Sequence, residues 1–179
     1  MSLAGVKRAD IVIFTKCGKL TDEQKEGFCR YIKEIKDVPV FFSKVRYGTL
    51  YPLFESAKTN VQITKESRVL LVTGIAKPQP LKAEIEKRGA TVELMQYGDH
   101  HNFSAAELND IANFFSKSGS TVIVTTEKDA TRIKHRKELP QIVRNNIYAL
   151  PIEVEFLNEE EKLFNKNIYD YVTKNSRNS

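Results

Sequence analysis

The chain has 179 residues, of which 41% are hydrophobic and 28% charged, with a formal net charge of +5. That balance fits one or two ordinary globular cores and excludes a disordered or fibrous chain. No run approaches 18 consecutive apolar residues, so no segment reads as a membrane span. The mild basicity falls short of the dense patch of a nucleic-acid binder, so no nucleic-acid partner is expected. Cys17 and Cys29 stand apart, outside any Cys-x-x-Cys pair, and read as free thiols of a reducing compartment.

In chain order, the start has no signal-peptide pattern and leads directly toward a strand. Asp10 to Thr15 is an apolar, β-branched run that reads as a strand covered on both faces. Thr21 to Gln24 is a capping box, followed by a helix with Phe28, Ile32 and Ile35 on one face. Val38 to Val45 is the next strand, so the first 45 residues form a strand–helix–strand unit. Two strands cannot cover a core, so this unit reads as the end of a larger sheet. Tyr47 to Thr64 shows no clear period and reads as a connector.

Arg68 to Thr73 is a buried strand that ends at Gly74. Pro80 suits the first turn of a helix that runs to Arg88 and stops at Gly89. A strand over Thr91–Gln96 leads into Tyr97-Gly98-Asp99-His100-His101-Asn102-Phe103, and Ser104 with Glu107 caps a helix immediately afterwards. That helix turns Leu108, Ile111, Ala112 and Phe115 inward. Thr121–Thr125 is a strand, and Thr126 to Asp129 starts another helix. Residues 68–134 therefore read as β-α-β-α-β-α, a small doubly wound unit. Asn146 to Phe156 is extended, and Asn158 to Glu161 caps a last helix bearing Phe164, Ile168, Tyr171 and Val172.

Asp99-His100-His101 carries the clearest chemistry. Imidazole titrates near neutral pH and suits proton transfer, phosphate contact or metal ligation, with Asp99 orienting it. The plain alternative is a loop with solvated imidazoles. Adjacent histidines point apart, and no further ligand set is visible, so no metal site is expected. At Thr125-Thr126-Glu127-Lys128-Asp129 two hydroxyls and a lysine stand at a helix start, where free N–H groups favour anions; a simple cap explains the same residues. A strand ending in Thr15-Lys16 resembles the base-contacting turn of P-loop nucleotide hydrolases, but Gly18 stands where an aspartate is expected. Gly74 permits close approach of backbone or ligand. There is no Gly-x-x-x-x-Gly-Lys-[Ser/Thr] and no Gly-x-Ser-x-Gly.

Taken in order, Lys7 to Lys16, Tyr47-Gly48, Val72 to Pro78, Gly98 to Phe103 and Thr125 to Ala130 resemble the C-terminal part of the tetraacyldisaccharide 4'-kinases of lipid A biosynthesis. The resemblance implies an ATP- and Mg²⁺-dependent kinase that phosphorylates the 4'-hydroxyl of an acylated disaccharide 1-phosphate at the cytoplasmic face of the bacterial inner membrane. It implies an α/β fold: the end of a P-loop-type parallel sheet plus a small doubly wound β-α-β-α-β domain, joined by a two-stranded linker. Residues 1–45 would end the nucleotide-binding domain, 46–67 would link, 68–148 would form the C-terminal domain, 149–157 would return, and 158–179 would be the last helix and tail. The P-loop, the Mg²⁺ ligands, a catalytic aspartate and a membrane-anchoring helix would precede residue 1, which makes the chain a fragment inactive by itself.

By the same resemblance His100 is the catalytic histidine, with Asp99 behind it and His101 as the alternative. Thr15 and Lys16 would lie near the adenine, and His101 and Lys128 near the substrate. Thr125 and Thr126 would support the domain or touch phosphate. An uncovered sheet edge would permit pairing with a second copy. Two other readings compete: a metal-dependent phosphoesterase of the Asp-His-His class, and a non-enzymatic α/β binding module.

Overall fold

The computed structural model describes residues 3–176 and divides them into two compact units, 3–46 with 152–176 and 47–151. In the first unit the strands β1 (Val12–Phe14), β2 (Val40–Tyr47) and β8 (Ile152–Phe156) form a sheet in the order β1-β2-β8. β1 and β2 run parallel, with Val12 opposite Val40 and Phe14 opposite Phe42. Helix α1 (Asp22–Ile35) connects them, as a parallel pair requires. Its capping box forms as the sequence requires: Thr21 Oγ1 accepts from Gln24 N, and Gln24 Oε1 accepts from Thr21 N. Ile32 is fully buried. The last helix, α6 (Glu161–Ser176), sets Phe164 against Phe41 and Phe156.

Two expectations fail in this unit. Leu3–Arg8 is a 3-10 helix, not the lead into a strand. β1 has three residues where the apolar run from Asp10 to Thr15 suggests six, and Ile13 is 41% exposed within this chain.

In the second unit, β3 (Tyr51–Pro52), β4 (Arg68–Thr73), β5 (Thr91–Gln96), β6 (Val122–Thr126) and β7 (Ile147–Leu150) form one sheet in the order β3-β7-β6-β4-β5. β7, β6, β4 and β5 are parallel, and the short β3 lies antiparallel on β7. Helix α2 (Gln79–Lys87) joins β4 to β5. Helix α3 (Ala105–Ser118) joins β5 to β6, on the other side of β4. Right-handed crossovers that run in opposite directions along the sheet put their helices on opposite faces. The alternation of buried residues agrees. Val69, Leu71, Val122 and Val124 pack with Leu81 and Ile85 of α2. Leu70, Val72 and Ile123 pack with Leu108, Ile111 and Phe115 of α3 and Ile133 of α4 (Glu127–Lys134).

Residues 47–67 have little regular structure but are packed: Leu50, Leu53 and Ala57 are buried in these two cores. A short helix α5 (Gln141–Asn146) precedes β7. The extended run after Asn146 breaks at Pro151, with β7 inside the second unit and β8 in the first.

Candidate functional site

β4 and β6 are neighbours whose onward connections lead to α2 and α4 on opposite faces. In parallel sheets this arrangement opens a position at the carboxyl ends of the two strands where loops meet. Here the position is closed by one side chain. Asp129, on the first turn of α4, is fully buried, and its Oδ2 accepts from Thr73 Oγ1 (2.9 Å), Gly74 N (3.0 Å) and Thr126 Oγ1 (2.7 Å). Its Oδ1 accepts from Arg132 Nη1 at 3.3 Å. A buried carboxylate is tolerated only when it is paired and hydrogen-bonded in this way. Thr126 also caps α4, its hydroxyl accepting from Asp129 N at 3.1 Å. The hydroxyl of the fully buried Thr125 has no hydrogen-bond partner among the described residues.

Gly74 is required by close approach. A methyl group at that position would lie 2.9 Å from Gly98 O, 3.0 Å from His101 Cβ and 3.2 Å from Asp129 Oδ1. The histidine loop is thus pressed onto the end of β4, and Tyr97 N donates to Thr73 O at 2.9 Å.

The two histidines diverge. His101 is half-buried, stacked on Tyr97 (4.9 Å between centroids) and edge-on to Phe103 (5.1 Å). Its Nε2 lies 2.9 Å from Glu107 Oε1. Glu107 also accepts from Ser104 N and Oγ through Oε2. These bonds, the Ser104 backbone first, then its hydroxyl, then His101, hold the Glu107 carboxyl down to a pKa of about 2. His101 is therefore tied into the cap of α3.

His100 is exposed and takes a left-handed backbone conformation, φ +60°. Asp99 Oδ1 supports that turn by accepting from His100 N at 3.0 Å. His100 Nε2 lies 3.1 Å from Lys128 Nζ, and Nδ1 lies 3.2 Å from Arg132 Nη2. Lys128 Nζ also donates to Asp99 Oδ1 at 3.3 Å, and that bond holds the Asp99 carboxyl below its ordinary range. The structure thus brings Asp99, His100 and Lys128 together and sets His101 on a different network. Thr15 and Lys16 lie in the other unit, exposed at the end of β1, with Lys16 at φ +63°.

Sequence reasoning missed two members of this cluster. Arg132 is one helical turn after Lys128 and shares its face, an i,i+4 relation that was available. Asp129 reads only as part of a cap, because Thr73 and Gly74 are 56 and 55 residues away.

Fold and site together define a parallel α/β domain with a histidine-centred, basic cluster at the carboxyl ends of its strands. The family model for tetraacyldisaccharide-1-P 4'-kinase matches residues 2–172. The tetraacyldisaccharide 4'-kinase of Phocaeicola vulgatus is 39% identical over 180 residues, 98% of this chain and 49% of that protein. Those of Bacteroides thetaiotaomicron and Bacteroides fragilis (strain YCH46) are 38% and 40% identical and are covered to 50% and 49%. The fold is shared with a solved structure of LpxK from Aquifex aeolicus in complex with ATP: TM-score 0.55 and 23% identity, over 94% of this chain and 44% of that one. The chain belongs to the tetraacyldisaccharide-1-P 4'-kinase family, and it spans about half the length of the curated relatives it matches.

Proposed function

We propose that this chain supplies the acceptor side of an ATP-dependent kinase that phosphorylates the 4'-hydroxyl of a tetraacyldisaccharide 1-phosphate, and that it works as about half of a longer protein. The observation that carries this reading is the joint presence of the family match over residues 2–172 and an exposed imidazole at His100 flanked by Lys128 and Arg132. In this reading His100 meets the acceptor hydroxyl. Lys128, half-exposed and anchored by Asp99, faces phosphate oxygens as a mobile point charge. Asp99 holds the loop turn and the lysine. His101 fixes the loop to α3 through Glu107. Thr15 and Lys16 would lie on the nucleotide side, where ATP supplies the phosphoryl group that is transferred.

Phosphoryl transfer also needs a divalent cation and a phosphate cradle. The residues near His100 do not fit Mg²⁺, because basic groups surround the imidazole. Among the described residues, no group of three or more His, Cys, Asp or Glu is placed to hold a metal ion. No step is therefore assigned to the metal here. The same finding gives the two-metal phosphoesterase reading nothing to stand on within these residues. The acylated substrate implies work at a membrane surface, and no described helix is long and apolar enough to cross one.

The test is phosphate transfer from labelled ATP to the tetraacyldisaccharide 1-phosphate by the full-length protein. His100→Ala is expected to lower kcat by about 10²–10⁴-fold, the usual contribution of a proton-handling side chain, while His101→Ala leaves the chemical step closer to wild type. Undiminished turnover by His100→Ala would remove the assignment.

A further inference from the structure

The two cations that touch His100 make incompatible demands on it. Lysine and arginine only donate, and a neutral imidazole offers one acceptor nitrogen. Arg132 Nη2 requires the lone pair at Nδ1, and Lys128 Nζ requires it at Nε2. One of the two contacts must therefore dictate where the ring proton sits.

The geometry favours the arginine. Arg132 is 21% exposed, and its guanidinium is pinned through Nη1 to the fully buried Asp129. Asp129 in turn is fixed by Thr73, Gly74 and Thr126. A planar fork held at one nitrogen has little freedom to re-aim the other. Lys128 is 43% exposed, ends a flexible stem and has Asp99 Oδ1 as a second acceptor. It can turn away without losing a partner.

We infer that Arg132, braced by Asp129, is a positioning residue that holds neutral His100 as the Nε2–H tautomer, so that the ring meets its ligand as a hydrogen-bond donor. The line from the sheet to the imidazole runs Thr73/Gly74, Asp129, Arg132, His100. Asp99 Oδ2, 3.7 Å from Nε2, lies on the side to which that proton points. In the kinase reading, Nε2–H would donate to the acceptor oxygen or to the group that takes its proton. This assignment of His100's role rests on that reading, whereas the tautomer does not.

The experiment is a long-range ¹⁵N–¹H correlation spectrum of the ¹⁵N-histidine-labelled chain, at a pH where the rings are neutral and without substrate. The three histidines are separated by the loss of the His100 signals in His100→Gln. Wild type is expected to show an unprotonated, pyridine-type Nδ1 and a protonated Nε2 at His100. Arg132→Met is expected to move His100 toward the Nδ1–H form or a mixture, while His101 and His135 keep their patterns. Lys128→Met should leave the wild-type pattern at His100. Asp129→Asn, which keeps a carbonyl acceptor, should retain the fold and weaken the tautomer preference. A protonated Nδ1 in wild type, or an unchanged His100 in Arg132→Met, would overturn the inference. A retained tautomer together with full turnover by His100→Ala would instead overturn the kinase assignment alone.

Discussion

Removing the Asp129 carboxylate strands four donors at once: the Thr73 and Thr126 hydroxyls, the Gly74 amide and the Arg132 guanidinium. Loss of one partner from a buried, charge-assisted network costs about 3–5 kcal/mol. Asp129→Ala is expected to lose that much in urea unfolding, and Asp129→Asn clearly less. Glu107 behaves differently because it is partly exposed and its carboxyl is held down to about 2 from 4.5. A depressed carboxyl contributes stability above its unfolded pKa and loses it as the pH falls through the folded one. The contribution is thus complete above about pH 5 and vanishes between about pH 4.5 and 2. Glu107→Gln is expected to flatten stability across that window, read from urea midpoints at successive pH values. An unchanged acid limb would show that Ser104 and His101 do not set this group's affinity for protons.

Among the elements, the turn after β4 holds the glycine with the least room for a side chain. In Gly74→Ala the new methyl group would meet a backbone oxygen at 2.9 Å, which cannot rotate away as a flexible side chain would. Overpacking of this kind costs about 1–3 kcal/mol. The variant is expected to melt lower and to shift the amide resonances of residues 98–101 more than those of α1. Local signals of this sort were legible in the sequence. The Thr21, Ser104 and Thr126 caps form where hydroxyl-rich starts precede apolar spacing. The parallel strands β4 and β6 appear where apolar runs end at Gly74 and Thr126. Longer-range choices were not legible. Nothing near Asp129 in the chain says that its carboxylate lies under β4, and nothing near Arg132 points to His100, 32 residues earlier. The apolar run from Asp10 to Thr15 reads as a six-residue strand because composition reports the wish to be buried, whereas pairing with β2 spans only Val12 to Phe14. Pro151 splits one extended stretch between two sheets because each half finds a different neighbour.

For the whole molecule, both large cores lie within 47–151: every buried residue of the two clusters flanking the five-stranded sheet belongs to that span. The first unit is completed across a long gap in sequence. Its Lys44 pairs with Glu155 at 2.8 Å, and Arg46 pairs with Glu153. The chain leaves this unit at 46 and rejoins it at 152, and Gly48 N donates to Pro151 O at 3.0 Å. Entrance and exit of the second unit therefore touch, the arrangement that lets one domain sit inside another as a tolerated insertion. A gene encoding only 47–151 is expected to yield a self-sufficient module that unfolds in a single cooperative transition. Fused end to end through Gly48 and Pro151 and reopened in an exposed loop such as the one near Asn60, it should keep the same far-ultraviolet circular dichroism. A molten product from either gene would mean that the outer segments lend the inner one its order.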